Sequence, residues 1–251
     1  MELREFFERH PKVAIAFSGG TDSAFLLYSA SKYAEDVHAY FVKAQFQPDF
    51  ELDDARRLAE ELGVPLTVIP GDVFANPDVV RNDRLRCYYC KRANFSAILE
   101  HAVKDGYELV LDGTNASDDP SDRPGMRAIE ELGVLSPLKE CGLSKDEVRR
   151  LSREAGLFTA DKPSYSCLAT RIPTDTPIDP ESLRLVESGE IALFDLGFSD
   201  LRVRKIGSTA KIQLTAGQMP RAVELRDEIV KALSPYFETI VLDLVPRKPS
   251  V

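Results

Sequence analysis

The stretch Val13-Ala14-Ile15-Ala16-Phe17-Ser18-Gly19-Gly20-Thr21-Asp22-Ser23 decides how this chain folds. Five successive apolar residues without polar alternation predict a strand buried on both faces, as in a parallel sheet. Gly19 and Gly20 then make a tight turn, and the residues from Asp22 to Ala34 carry apolar side chains at helical spacing. Strand, glycine turn and helix start in direct succession make an anion site. The glycines let backbone N–H groups approach a phosphate, Ser18 and Ser23 offer hydroxyls beside Thr21, and the helix N-terminus adds its positive end. Asp22 either caps the helix or helps hold a Mg2+ ion on the phosphate. The loop is neither a Walker A sequence, having no spaced second glycine before a lysine, nor a dinucleotide fingerprint. A plain capped turn is the bland alternative; the agreement of all three elements favours phosphate binding.

Working outward, strands are expected at Val13 to Phe17, Val37 to Ala44, Pro65 to Ile69 and Leu109 to Asp112. Helices are expected at Asp22 to Ala34, at Leu52 to Leu62 with Gly63 ending it, and at Lys91 to Lys104. That alternation predicts an α/β fold with a doubly wound parallel sheet, whose ligands bind at the carboxyl ends of the strands. After Asp161 the character changes, with Pro163, Pro173, Pro177 and Pro180 close together and no helical period between them. Beyond lie a helix at Pro180 to Leu196, strands at Leu201 to Ile206 and Thr209 to Leu214, a helix at Met219 to Leu233 and a strand at Thr239 to Leu244. The expected organisation is therefore a nucleotide domain over 1–160, an active-site loop or linker over 161–180 and a second, smaller α+β domain over 181–251.

The 251 residues suffice for one large or two modest domains, and 43% hydrophobic with 29% charged residues excludes disordered and collagen-like classes. The formal charge of -9 argues against nonspecific nucleic-acid binding. No apolar run is long enough to cross a bilayer, and the N-terminal residues lack the pattern of a signal peptide, so a cytoplasmic protein with no membrane partner is expected.

Four cysteines in such a chain suggest metal or redox chemistry. Cys87-Tyr88-Tyr89-Cys90 places two thiols at a helix start, and Cys167 follows in Ser164-Tyr165-Ser166-Cys167-Leu168-Ala169-Thr170-Arg171. Three thiolates suit a [4Fe-4S] cluster with one iron open to an external ligand; structural zinc would need a fourth, which Cys141 offers. The phosphate loop nearby favours cluster or sulfur chemistry. On a two-residue turn at Gly207-Ser208, Arg202, Arg204 and Lys211 share one sheet face, with Arg204 opposite Lys211. Like charges so placed are either screened by solvent or neutralised by an anion.

Ser18-Gly19-Gly20-Thr21-Asp22-Ser23 resembles the pyrophosphate loop of the N-type ATP pyrophosphatases, and Leu111-Asp112-Gly113-Thr114-Asn115 a later nucleotide element of that superfamily. Taken with Arg86 to Lys91, Asp118-Asp119, Arg123-Pro124-Gly125, Ser136-Pro137-Leu138, Cys167 to Arg171 and Leu201 to Arg204, the chain resembles the LarE family, ATP-dependent sulfur insertases that help build a nickel-pincer nucleotide. The resemblance implies an adenine nucleotide α-hydrolase-like domain and the adenylation of a carboxylate of pyridinium biscarboxylic acid mononucleotide. Pyrophosphate and then AMP would leave, giving a thiocarboxylate. It implies ATP and Mg2+, with Ser18, Gly19, Gly20, Thr21, Asp22, Ser23 and Gly113 binding nucleotide and Arg202, Arg204 and Arg171 the substrate. Lys91, Asp22 and Cys167 would be catalytic. Sulfur comes either from a [4Fe-4S] cluster on Cys87, Cys90 and Cys167 or from a sacrificial Cys167. The resemblance further implies a dimer or hexamer and a sulfide or sulfur-donor protein. Glu187, Glu190 and Asp243 are further candidate carboxylates, and Lys91 and Arg171 are alternatively structural ion pairs. Tail residues Val245 to Pro249 depart from the family's glycine-aromatic-arginine pattern. Competing readings are a tRNA thiolase, an amide-forming ATP pyrophosphatase, or a non-catalytic ATP- or zinc-binding protein.

Overall fold

A computed structural model describes residues 2–118 and 124–249 and divides the chain into two compact units, Met1–Ala75 with Leu85–Lys162 and Asn76–Arg84 with Pro163–Val251. Asp119 and Arg123 of the sequence motifs lie outside the described residues. Among the described residues no helix is long and apolar enough to cross a membrane.

The first unit begins with α1 (Leu3–Arg9), β1 (Lys12–Ala16), α2 (Thr21–Tyr33), β2 (Asp36–Lys43), α3 (Asp49–Leu62) and β3 (Leu66–Pro70). The chain leaves for the second unit through α4 (Pro77–Val80) and returns in α5 (Arg86–Lys104), β4 (Val110–Leu111), α6 (Pro124–Glu131), α7 (Pro137–Glu140) and α8 (Lys145–Glu154). The four strands are parallel in the order β3-β2-β1-β4, with Val13 beside Val37 and Ile15 beside Leu111. Alternate residues of β1 serve opposite cores. Val13 and Ile15 pack with Ala24 and Leu27 of α2, whereas Ala14 joins Ile98 and Ala102 of α5 and Ile129 of α6. This double burial explains why β1 reads as an uninterrupted apolar run, each fully buried aliphatic contributing roughly 1.5–3 kcal/mol. Because the winding reverses at β1, its carboxyl end is a switch point, where a crevice opens for ligands.

The expected strands shift by only a residue or so, apart from a shorter β4. Two helices begin earlier than expected: α3 at Asp49, directly behind Pro48, and α5 at Arg86, which brings both Cys87 and Cys90 inside the helix. Gly63 ends α3 at φ 65°, as its sequence position predicts, and the Val64 amide bonds back to the Ala59 carbonyl.

The second unit holds α4, 3-10 turns at Leu168–Arg171 and Ala216–Gln218, α9 (Pro180–Asp195), β5 (Arg202–Ile206), β6 (Thr209–Gln213), α10 (Met219–Glu224), α11 (Arg226–Leu233) and β7 (Thr239–Leu242). Asp179 caps α9 by accepting from the Ser182 amide at 2.8 Å. Gly207, at φ 59°, allows the tight turn that pairs Arg204 with Lys211 and Val203 with Ile212. The inner sheet face packs Val203, Ala210 and Ile212 against Leu193, Ile229 and Leu233. The helix expected from Met219 to Leu233 is interrupted at Leu225, which nothing in the local sequence explains.

Assignment of Asn76–Arg84 to the second unit was not foreseen by a linear division at residue 160. Its physical basis is Asn82, fully buried with φ 59°, whose side-chain amide donates to the carbonyls of Pro173 at 2.9 Å and Thr176 at 2.8 Å. Asparagine tolerates the left-handed region better than most residues.

Candidate functional site

The loop after β1 is held from within. Ser23 Oγ accepts from the Ser18 amide at 3.3 Å, lies 3.0 Å from Ser18 Oγ and donates to the Gly20 carbonyl at 3.1 Å. Thr21 Oγ1 donates to the Thr159 carbonyl at 2.9 Å, so this hydroxyl anchors the loop. Two close approaches require glycine. A Cβ on Gly19 would lie 2.6 Å from the Glu51 carbonyl oxygen, and one on Gly113 would lie 2.8 Å from the Ser23 nitrogen. Gly113 thus lets the turn after β4 come against the start of α2. Asp112 fixes that turn by accepting from Thr114 Oγ1 at 2.5 Å and Ser136 Oγ at 2.6 Å.

Two lysines outside the candidate residues named from the sequence reach this loop. Lys145 pairs with Asp22 Oδ2, and Lys162 pairs with Asp54 at 2.5 Å while donating to the Gly19 carbonyl at 3.3 Å. Lys145 had a legible signal: it opens α8, where the helix dipole disfavours a cation, immediately after the Ser144 cap. Lys162, beside Pro163, had none. The other Asp22 oxygen, Oδ1, is buried with no hydrogen-bond partner among the described residues. A buried unpaired carboxylate oxygen is costly, and it suits a metal ion or a ligand donor.

Cys87 is exposed and Cys90 half-buried on the first turns of α5. Arg86 Nη2 lies 3.6 Å from Cys87 Sγ and Asn94 Nδ2 lies 3.9 Å from Cys90 Sγ, donors that suit thiolates. Lys91 lays its stem across Gly125, where a Cβ would meet Lys91 Cδ at 2.7 Å. Cys141 packs against the first core, and burial pushes its thiol up, which fits a bystander better than a zinc ligand. Among the described residues no group of three or more His, Cys, Asp or Glu side chains is gathered for a metal.

In the second unit the expected substrate cations separate into two kinds. Arg171, expected to meet substrate, is fully buried in a bidentate pair with Glu190, at 2.7 and 2.9 Å. It therefore takes the structural alternative, and Glu190 is likewise occupied. Arg202 is nearly buried, donates to the carbonyls of Leu201 at 2.7 Å and Ser164 at 2.8 Å, and lies over the Tyr165 ring. Burial, with Arg171 and Arg247 nearby, pulls the Arg202 guanidinium down to about 10, so an anion beside it would be welcome. Arg204 is exposed and bonded to Gln213 at 2.6 Å and the Thr170 carbonyl at 2.8 Å. Across from it Lys211 pairs with Asp243 at 2.8 Å, so a carboxylate of the chain relieves the like-charge contact. The divergent tail folds back, with the Arg247 amide on the Leu214 carbonyl and its guanidinium on Asp200.

A parallel sheet that delivers this serine-glycine loop to its switch point, with a carboxylate and two lysines around it, defines an N-type ATP pyrophosphatase. Consistently, the asparagine synthase family model matches residues 7–117. Over a longer span the chain is 31% identical to pyridinium-3,5-bisthiocarboxylic acid mononucleotide synthase of Lactiplantibacillus plantarum, covering 93% of this chain and 86% of that enzyme. It is 36% identical to an uncharacterized protein of Synechocystis, covering 96% and 92% of the two chains. Similarity to the tRNA-specific 2-thiouridylase MnmA of Thermotoga petrophila is lower, 24% over 60% of this chain. The chain belongs to the LarE family of ATP-dependent sulfur insertases.

Proposed function

We propose that the protein converts a carboxylate of pyridinium-3,5-biscarboxylic acid mononucleotide to a thiocarboxylate, using ATP to activate it. The observation that carries this reading is the match, along 93% of the chain, to an enzyme named for the bisthiocarboxylic acid product. A carboxylate is a poor electrophile, so its oxygen first attacks the α-phosphorus of ATP. Pyrophosphate leaves and an acyl adenylate forms; a sulfur nucleophile then displaces AMP.

Ser18, Gly19, Gly20, Thr21 and Ser23 form the cradle for the departing pyrophosphate, with Gly113 closing its side. A Mg2+ ion supplies charge neutralisation on the phosphates, and the unpartnered Asp22 Oδ1 suits it. Lys91 balances charge on the adenylate. Arg204, backed by Arg202, takes the substrate phosphate in preference to the buried Arg171. Cys87, Cys90 and Cys167 would hold a [4Fe-4S] cluster, which would supply a transferable sulfide.

The test is anaerobic purification of the wild type and of Cys87→Ala, with iron, sulfide and zinc analysis and a pyrophosphate-release assay. About four irons per chain, lost in Cys87→Ala, together with substrate-dependent pyrophosphate release, is the expected result. Metal-free protein that carries dehydroalanine at Cys167 after turnover would replace the cluster with a sacrificial cysteine. Absence of pyrophosphate release with the carboxylated nucleotide would overturn the substrate.

A further inference from the structure

Glu190 sits on the apolar stripe of α9, with Val186 and Leu193 on the same side, and is 1% exposed. A carboxylate there is unfavourable unless its lone pairs are met. Four donors meet them. Oε1 accepts from Arg171 Nε at 2.7 Å and from the Val203 amide at 3.0 Å; Oε2 accepts from Arg171 Nη2 at 2.9 Å and from the Tyr165 hydroxyl. Arg171 Nη1, in turn, donates to the carbonyls of Ser166 at 2.7 Å and Cys167 at 3.2 Å.

We propose that Glu190, acting through Arg171, is a positioning residue that holds the Cys167 loop in fixed register with the strand carrying Arg202 and Arg204. Val203 lies between those two arginines on an edge strand, where Glu190 takes the place of a further strand for its N–H. Stability alone does not account for the pair, because buried ion pairs replaced by apolar groups of similar size are often neutral or stabilising. Leucine and methionine fill the volume but cannot bind the Val203 amide or the carbonyls around Cys167. The inference rests on the reading that Cys167 and these arginines serve sulfur transfer.

The full chain, as purified, is compared with Glu190→Gln and with the apolar double variant Arg171→Met/Glu190→Leu. Unfolding midpoints are recorded, and Cys167 alkylation by iodoacetamide is measured by peptide mass spectrometry relative to the bystander Cys141. The expected result is a rise of about threefold or more in the Cys167 to Cys141 rate ratio in a double variant that stays folded. A smaller change there overturns the proposal. If the double variant does not fold, the same threshold applied to Glu190→Gln decides. Cys167→Ser tests the underlying reading separately: if it retains sulfur transfer, the role of Cys167 falls while the alkylation ratio still decides positioning.

Discussion

Replacing Gly19 by alanine probes the phosphate loop through backbone geometry alone. Gly19 has φ 73°, and a Cβ there would lie 2.6 Å from the Glu51 carbonyl oxygen. The left-handed conformation costs an L-residue about 1–2 kcal/mol. A contact that short against main chain forces a backbone shift, adding about 1–3 kcal/mol in the range of overpacking. Together they destabilise by about 2–5 kcal/mol. Gly63 is the matched control: its φ is 65°, yet a Cβ there would meet no heavy atom within 4 Å. Gly63→Ala therefore carries only the conformational part, about 1–2 kcal/mol. At about 2–4 °C per kcal/mol for a chain of this size, Gly19→Ala should lower the unfolding midpoint by roughly 4–20 °C and Gly63→Ala by roughly 2–8 °C. Thermal melts by circular dichroism measure the midpoints, and calorimetric titration measures ATP affinity. That affinity should fall by about tenfold or more in Gly19→Ala and stay near wild type in Gly63→Ala. Equal losses of stability and ATP affinity in the two variants would refute the reasoning, since the Glu51 contact would then contribute nothing.

Asp22→Asn preserves size but removes the partner of Lys145 and the charge on the buried oxygen; pyrophosphate release should slow by about a hundredfold with the melting midpoint nearly unchanged. Retention of more than half the activity would exclude Asp22 from the chemistry. Asn82→Ala leaves the carbonyls of Pro173 and Thr176 without their shared donor and should cost about 2–4 kcal/mol, with faster hydrogen exchange at the Asp175 and Ile178 amides. Hydrogen bonds from Lys211 and Gln213 hold the Asp243 carboxyl down at about 2, from an ordinary 3.8. Because this folded-state value is depressed, the contribution to stability is present above the ordinary value and is lost as pH falls through it toward about 2. Lys211→Met should return the Asp243 titration, followed by NMR, toward 3.8; an unmoved titration would show that Lys211 is not its cause.

The nucleotide half was legible because its signals are local. Val13 to Ser23 states strand, turn and helix in order, and the alternate burial of Ala14 and Ile15 follows from pairing on both sides. The hairpin register was equally legible, since a two-residue turn leaves one pairing of Arg204 with Lys211. What escaped was long-range. Nothing near Asn82 in the sequence announces Pro173 and Thr176, and nothing near Lys162 announces Gly19. Arg171 and Glu190 were both marked, but a charge on a short turn or on an apolar helix stripe does not say whether its partner is a ligand or the chain itself. Only the 0% exposure of Arg171 resolves that choice.

The same distinction orders the cations of both units. Lys145, Lys162 and Lys211 each keep some solvent exposure and rest on a carboxylate, respectively Asp22, Asp54 and Asp243. Such pairs exchange partners at small cost, because water screens the charge that is momentarily left alone. A chain of charge -9 can in this way hold lysines at a phosphate loop without leaving them unneutralised before the anion arrives. Arg171 differs in kind. Its guanidinium is bound on one edge by Glu190 and on the other by the carbonyls of Ser166 and Cys167, and its burial keeps solvent from substituting for any of them. Breaking those bonds to reach a ligand would leave the Glu190 carboxylate buried without its bidentate cation, a far larger penalty than separating a partly exposed lysine from its acid. The lysine pairs can therefore open to an anion at far smaller cost than the Arg171–Glu190 pair, a difference set by desolvation and not by the residue types themselves.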